Sequence, residues 1–590
     1  MSAKLRVGAI IAALVMICGL EFLVVRPSAD PLAVPIKPLP LIVGAWMLFA
    51  MAAWLLRGIS LRWSVALIII GAIVIQIVAM SAPPQSSDDL YRYIWDGRVQ
   101  AHGIDPYAFV PSAPQLAHLR TPFLWTAARA SSPYSHCVWP GAVLSGHPGS
   151  LLIPGCTRIN RPMVPTIYPP VAEAYFWALH YVTPVHAGST PVQAAAGGFA
   201  VLVTLVLLAG LRWLGRDLRW AALWAWCPTV ALEAGNSAHV DVVAVLLAAV
   251  ALLVLARPNG GRRGALLGGA LLGLAIATKM TPILAGPAVL RRRGWAVIVA
   301  AGGAVAAVYL PHVLAVGSKV VGFLPGYLQQ EGYNSGQRFA IIALFTTGHL
   351  AIVIAISILA VTGLAVLRFS DPDHPWRGAV VMTGAALAVT TPNYQWYAIL
   401  LVMLVVLDGR PEWLAFAAGS YLAAEPHLGR WRIIHHSQAV GYGLAALFVA
   451  LVWIVRVVIA RYPRLVTAEP VSDPMGHVTA VGALSPANAA VDAAVPAGNE
   501  LVGAMSAAGA PGGVATAEGT EMSGPGTGSG ANAAPIGSTA ASGPATPAVL
   551  PRRQRPAAGV GTGERTAVTT DGRVVNAPRL HEIIPSIARK

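Results

Sequence analysis

The densest group of chemically capable side chains lies in residues 81–110, SAPPQSSDDLYRYIWDGRVQAHGIDPYAFV, where acids, arginines and aromatics interrupt an apolar chain. An ionised carboxylate just outside a membrane can take the proton of a hydroxyl as a general base. Asp88 and Asp89 are the candidate pair, and the sequence does not separate them. Ser86 or Ser87 is placed to cap a helix that runs for about three turns through DDLYRYIWDGRV. The dipole of its first turn keeps both aspartates ionised at neutral pH. Helical spacing puts Asp88, Arg92 and Asp96 on one face, with Tyr91 and Trp95 beside them. Arg92 and Arg98 can hold an anion, or pair with Asp96 and lipid headgroups. Tyr91, Tyr93, Trp95, Tyr107 and Phe109 offer flat faces to a sugar ring, or anchors at the membrane interface. Gly103-Ile104-Asp105-Pro106-Tyr107 is a turn by composition. An acid pair that merely caps an interfacial helix is the competing reading of the aspartates alone. The whole block describes a carbohydrate-like site at a membrane surface.

Other polar groups come from distant sequence. LEAGNSAHVDVV places Glu233, Asn236, His239 and Asp241 between two apolar runs. They form either a hydrogen-bonding rim for a sugar or a plain loop, and the spacing of His239 and Asp241 makes a metal pair a poor fit. Lys279 lies within an apolar stretch, where a lone charge is costly and points to function. An anion such as a lipid phosphate is its expected partner, snorkelling to the interface the alternative. Tyr333, Asn334 and Arg338 can reach the same anion. The stretch Thr391 to Tyr397 adds Asn393, Trp396 and Tyr397 as sugar-compatible side chains. No phosphate-binding glycine fingerprint, zinc-spaced Cys/His array or Gly-x-Ser-x-Gly elbow occurs, so neither nucleotide nor serine-hydrolase chemistry is supported.

These groups must be positioned by membrane helices. The 590 residues are 56% hydrophobic and 11% charged, with mean hydropathy +0.64, against about a quarter charged in soluble domains. Continuous apolar runs near 5–25, 39–56, 63–80, 192–211, 220–235, 239–256, 264–290, 294–316, 340–366, 378–391, 393–407, 411–424 and 437–458 argue for an all-α polytopic fold of about 12–14 spans. The net charge is +15, and the residues from Thr467 hold eight basic and nine acidic side chains, so the remainder carries +16. Short arginine clusters between the runs read as topology signals rather than as nucleic-acid contacts. The first run, Leu5 to Val25, reads as a retained helix, not a signal peptide.

Placing the arginine connections inside puts residues 81–165 outside and makes 264–290 enter and return as half-helices bent at Thr278 to Pro282. Residues 168–183 read as an interfacial helix entered after two prolines. Residues 1–466 form the expected catalytic domain, with 81–183 as its extracytoplasmic loop. From Thr467 onward the chain has no Phe, Tyr or Trp and reads as a disordered cytoplasmic tail, with a short docking helix near 579–590 as a minor alternative. Cys137 and Cys156 share the outer loop and can pair there if it faces an oxidising compartment; Cys18 and Cys227 read as packing residues.

Several stretches, taken in order, resemble the GT-C membrane glycosyltransferases, above all the bacterial polyprenol-phosphate-mannose-dependent α-(1→6)-mannosyltransferases. They are Asp88-Asp89-x-Tyr91-Arg92-Tyr93-x-Trp95-Asp96-Gly97-Arg98 with Gly103-x-Asp105-Pro106-Tyr107; Tyr168-Pro-Pro170; Gly235-Asn236-x-x-His239-Val-Asp241; Thr278-Lys279 with Pro282; and Asn393-x-x-Trp396-Tyr397. The resemblance spans roughly residues 60–430. It implies an inverting transferase of the plasma membrane with Asp88 or Asp89 as base and an extracytoplasmic active site. It further implies a polyprenyl-phosphate sugar as donor, with mannose the expected sugar, and a cell-envelope glycan or glycolipid as acceptor. Lys279, Arg92, Arg98 and Arg338 would bind the donor phosphate. Tyr91, Trp95, Tyr107, Tyr168, Asn236, His239, Asp241, Asn393, Trp396 and Tyr397 would line the sugar and acceptor sites. Membrane lipids are the expected surroundings; no cofactor and no obligatory metal is expected, because side chains can neutralise a lipid monophosphate. A transporter of lipid-linked sugars is the rival class, and it should show pseudo-symmetric halves.

Overall fold

A computed structural model of the chain describes residues 2–26, 38–121, 123–125, 157–184, 187–257, 259–424, 436–461, 567–568 and 574–575. Cys137, Cys156 and nearly all of the expected tail lie outside the described residues. The chain divides into two units, Met1–Val478 and Thr479–Lys590. In the second, Ala567–Val568 pairs antiparallel with Val574–Val575.

The first unit is built from helices. Its N-terminal part comprises α1 (Ala3–Val25), α2 (Pro38–Leu55), α3 (Leu61–Ala79), the amphipathic α4 (Asp89–Ala101), α5 (Pro170–Val182) and α6 (Thr190–Trp213). A π-helical turn, Ala231–Asn236, leads to α7 (Asp241–Leu255) and α8 (Gly261–Ile276). There follow α9 (Gly294–Val316), α10 (Gly348–Phe369), α11 (Pro375–Thr390), α12 (Ile399–Asp408), α13 (Ala415–Ala423) and α14 (Ser437–Arg461). Among the described residues, seven helices are long and apolar enough to cross a membrane, and two shorter apolar helices accompany them. The protein is therefore a multi-pass, all-α membrane protein. Its long helices carry Met47, Trp54, Trp295, Leu314 and Leu364 exposed, as lipid-facing surfaces require when no polar face is present.

Two features of this bundle position the site. All ten residues of α12 are buried, and a helix of that length reaches only about 15 Å, half of the roughly 30 Å hydrocarbon layer. A helix apolar on every side belongs in the interior, so α12 ends deep in the bundle and delivers Trp396 and Tyr397 from its preceding turn. The second feature is the break after α8. Helix α8 ends at Ile276 and a 3-10 turn begins at Thr281, which puts the bend beside Lys279. The first limb is longer than the half-helix expected from the sequence. Its glycines explain why: a Cβ on Gly269 or Gly273 would meet the α9 backbone at 2.7 or 2.4 Å, so the whole of α8 packs closely on α9. The return limb carries the chain back until Arg257, Arg292 and Arg293 line one cavity.

Helix α5 begins at Pro170, the second of two adjacent prolines, and packs its Phe176 flat on Tyr93 of α4 with ring centroids 4.2 Å apart. Its opposite face leaves Trp177 and Tyr181 exposed. Gly97 permits this approach, since a Cβ there would lie 2.1 Å from the Phe176 carbonyl oxygen.

Candidate active site

The site forms where the N-terminus of α4, the entry to α7, the bend after α8 and the turn before α12 converge. Asp89 is the first residue of α4, with Asp88 as its cap residue. A carboxylate there is favoured by the helix dipole. The expected serine cap is shared differently: Ser87 Oγ accepts from the Asp89 amide at 3.1 Å, whereas Ser86 is drawn to Glu233 and Ser237, at 2.8 and 2.6 Å. Asn160 donates to Asp89 Oδ1 at 2.5 Å, and Tyr168 also hydrogen-bonds the carboxylate. Asp89 keeps 19% of its side chain exposed, and its Oδ2 lies 3.8 Å from His239 Nδ1. Asp88 adds its negative charge beside Tyr91.

Burial pushes the Asp89 carboxyl up, but His239, Lys279 and the hydrogen bonds from Asn160 and Tyr168 outweigh it, holding the group below its ordinary value. Burial likewise drives His239 down to about 3, against the pull of Asp89. The ring is therefore neutral at physiological pH, so Lys279 and the two hydrogen bonds are what keep Asp89 ionised.

Lys279 Nζ sits 3.0 Å from Asp241 Oδ2. It also lies 5.6 and 5.9 Å from the ring centroids of Tyr168 and Tyr397, within the range of cation–π attraction. Asp241 is the first residue of α7, again at a helix N-terminus. His239 stacks on Trp396 at 3.9 Å, and Trp396 stacks on Tyr394 at 4.5 Å. Tyr397 and Tyr327 share a hydroxyl contact of 2.8 Å. The result is an aromatic wall with a cation and a carboxylate at its foot, a combination suited to a sugar ring bearing an anionic leaving group.

The tertiary structure thus joins Asp89, Tyr168, His239, Asp241, Lys279, Trp396 and Tyr397. Other expected site residues have their polar groups occupied by the protein itself. Asn236 is 1% exposed; its Nδ2 donates to the carbonyls of Ala79, Ala82 and Pro83, and its Oδ1 accepts from the Gln85 amide. These bonds fasten the loop before α4. Trp95 is buried edge-on to Trp125, 5.5 Å between centroids. The Tyr107 hydroxyl donates to the Tyr168 carbonyl at 2.6 Å, and Tyr91 lies buried against Phe123. Asn393 accepts from Gln438.

Three expected phosphate ligands also bond within the protein, although Arg92 Nη2 and Arg338 Nε are left without a partner. Arg92 holds Asp96 through Nε at 2.9 and 2.8 Å and the Val164 carbonyl at 3.3 Å. Arg98 donates to the Leu119 carbonyl at 2.7 Å. Arg338 pairs with Glu331 at 2.9 Å, with both side chains almost wholly buried. A guanidinium taken out of water needs such a partner, and helical spacing supplied Asp96 to Arg92 more cheaply than a ligand could.

Sequence reading missed Asn160, Tyr327 and Glu331. Asn160 sits in an irregular segment with no periodicity to assign its direction. The hydroxyl of Tyr394 donates to Glu331 Oε1 at 3.0 Å, a contact that only the return of distant helices creates.

Residues 166–392 match glycosyltransferase family 87, and residues 5–144 match the alpha-(1->6)-mannopyranosyltransferase N-terminal domain. The first match contains Tyr168, His239, Asp241 and Lys279, and the second contains Asp89, so the two meet at this site. Together the two matches support a GT-C glycosyltransferase that resembles the mannosyltransferases. No curated protein and no solved structure matches it.

Proposed function

We propose that the chain is an inverting transferase that moves mannose from a polyprenyl phosphate to a hydroxyl of a cell-envelope glycan or glycolipid, on the extracytoplasmic side. Asp89 is the base. It takes the acceptor proton as the oxygen attacks the anomeric carbon from the face opposite the phosphate. Lys279 has three ammonium donors, of which Asp241 uses part, leaving the rest to meet charge developing on the departing phosphate. Trp396, Tyr394 and Tyr397 supply the wall against which the sugar rests.

The observation that carries this reading is the setting of Asp89: fixed at a helix start by Asn160, partly open to solvent, and facing the Lys279 region. The test uses vesicles containing the full chain, polyprenyl-phosphate-[14C]mannose and an octyl-linked α-(1→6)-dimannoside acceptor. Asp89→Asn should lower incorporation by at least about 10²-fold, the usual worth of a general base. Asp88→Asn should stay within about tenfold of the unmodified chain. Intact transfer by a folded Asp89→Asn protein overturns the assignment of the base. Labelled donor that crosses the bilayer without incorporation would make the protein a transporter.

A further inference from the structure

His239 stands between two carboxylates and hydrogen-bonds to neither. The residue is fully buried, with Nδ1 3.8 Å from Asp89 Oδ2 and Nε2 3.5 Å from Glu233 Oε2. Both ring nitrogens lack a hydrogen-bond partner, although buried polar atoms are nearly always paired. The ring cannot wander: it lies on Trp396, and the preceding Ala238 holds the left-handed backbone, φ +55°, that a residue with a Cβ seldom adopts. Such strain persists where the surroundings impose it, often at functional positions.

Glu233 decides which nitrogen carries the proton. Ser86 Oγ donates to its Oε2 at 2.8 Å, and the Tyr421 hydroxyl donates to its Oε1 at 3.1 Å. Burial pushes the Glu233 carboxyl up to about 7 against the pull of these two hydroxyl donors, which favour its ionised form; as a carboxylate it is an acceptor and selects the tautomer with hydrogen on Nε2. The lone pair on Nδ1 then faces the Asp89 carboxylate. Two acceptors cannot bond, which accounts for the 3.8 Å gap. The gap becomes a hydrogen bond once Asp89 is protonated.

We infer that Glu233 and His239 are positioning residues: Glu233 fixes the imidazole tautomer, and His239 Nδ1 accepts a hydrogen bond from Asp89 after Asp89 takes the acceptor proton. This rests on the reading of Asp89 as the base. The acceptor O–H bond breaks, its proton moves to Asp89 Oδ2, and the oxygen's electron pair forms the new glycosidic bond as the bond to phosphate breaks. The imidazole stays neutral throughout, in keeping with its burial and the Lys279 charge nearby. Its contribution is to stabilise the protonated acid and so make Asp89 a stronger base, and catalytic contacts of this kind commonly shorten only in the loaded site.

The decisive variant is Glu233→Gln, which keeps the shape but can donate to Nε2 and so force hydrogen onto Nδ1. An acid-to-amide change of this sort in a serine-protease triad leaves the geometry intact and impairs catalysis by imposing the wrong tautomer. In the labelled-mannose assay, Glu233→Gln should lower kcat about 10- to 100-fold with the donor KM little changed, and move the acidic limb of the pH profile to lower pH. His239→Ala should do the same, with partial recovery on adding imidazole. A folded Glu233→Gln protein with unaltered kcat and pH profile overturns the inference, and so does a loss confined to KM. If Glu233→Gln does not fold, Tyr421→Phe and Ser86→Ala remove its two donors singly and are read by the same kcat and limb shift. An inactive Asp89→Asn with an unaffected Glu233→Gln removes this inference alone; an active Asp89→Asn removes the base assignment and this inference together.

Discussion

Lys279 and Asp241 form an ion pair of 3.0 Å with only 16% and 4% of their side chains exposed. Removing one member leaves the other charge buried and uncompensated, which costs about 3–5 kcal/mol. Lys279→Met and Asp241→Asn should therefore each lower the melting temperature in detergent. The double variant should recover most of that stability yet remain defective in transfer. A double variant as unstable as either single one would show that the pair's surroundings, not the charge, set the cost.

Asp89 titrates below the ordinary carboxylate value because His239, Lys279 and its hydrogen bonds outweigh burial. A depressed folded-state value means that this contribution to stability is present above the unfolded carboxylate value, about 3.9, and is lost as pH falls through the lower folded value. Transfer should accordingly hold across neutral pH and fail only below the usual carboxylate range. Lys279→Met should shift that acidic limb upward, as residual activity against pH would reveal. An unmoved limb would remove Lys279 as the controlling charge.

Asn236→Ala takes away the side chain that bridges three carbonyls and one amide of the loop before α4. Buried groups left without partners cost about 1–3 kcal/mol each. Faster proteolytic cleavage within residues 80–88 and a lower melting temperature are expected, whereas a sugar-contact role would raise KM without loosening the loop.

Gly97→Ala would thrust a methyl group into the α5 backbone, 2.1 Å from the Phe176 carbonyl oxygen. Neither backbone can yield without parting α4 from α5, so a loss at the upper end of about 1–3 kcal/mol is expected. Thermal melting of the purified chain measures it. Unchanged stability would mean that α4 and α5 are not rigidly joined.

Much of this was legible in the chain because it follows from local rules. Apolar runs declared the membrane helices, the aspartates announced the start of α4, two prolines marked α5, and Lys279 advertised itself as a charge in an oily stretch. Side-chain direction was not legible for groups whose partners are far along the chain. Asn236, Tyr107 and Arg338 look like ligands for a sugar or a phosphate until their backbone and acidic partners are known. Adjacent aspartates are identical by composition, and periodicity cannot tell which one points to a histidine 150 residues later. The sequence by itself determined a polytopic helical membrane protein with a polar, aromatic block of candidate site residues and a resemblance to GT-C enzymes. Tertiary structure alone brought Asp89 to His239 and the Lys279 charge. The reason is physical: burial forces every polar group to find a partner, and only the folded chain shows which are paired with one another and which still face the site.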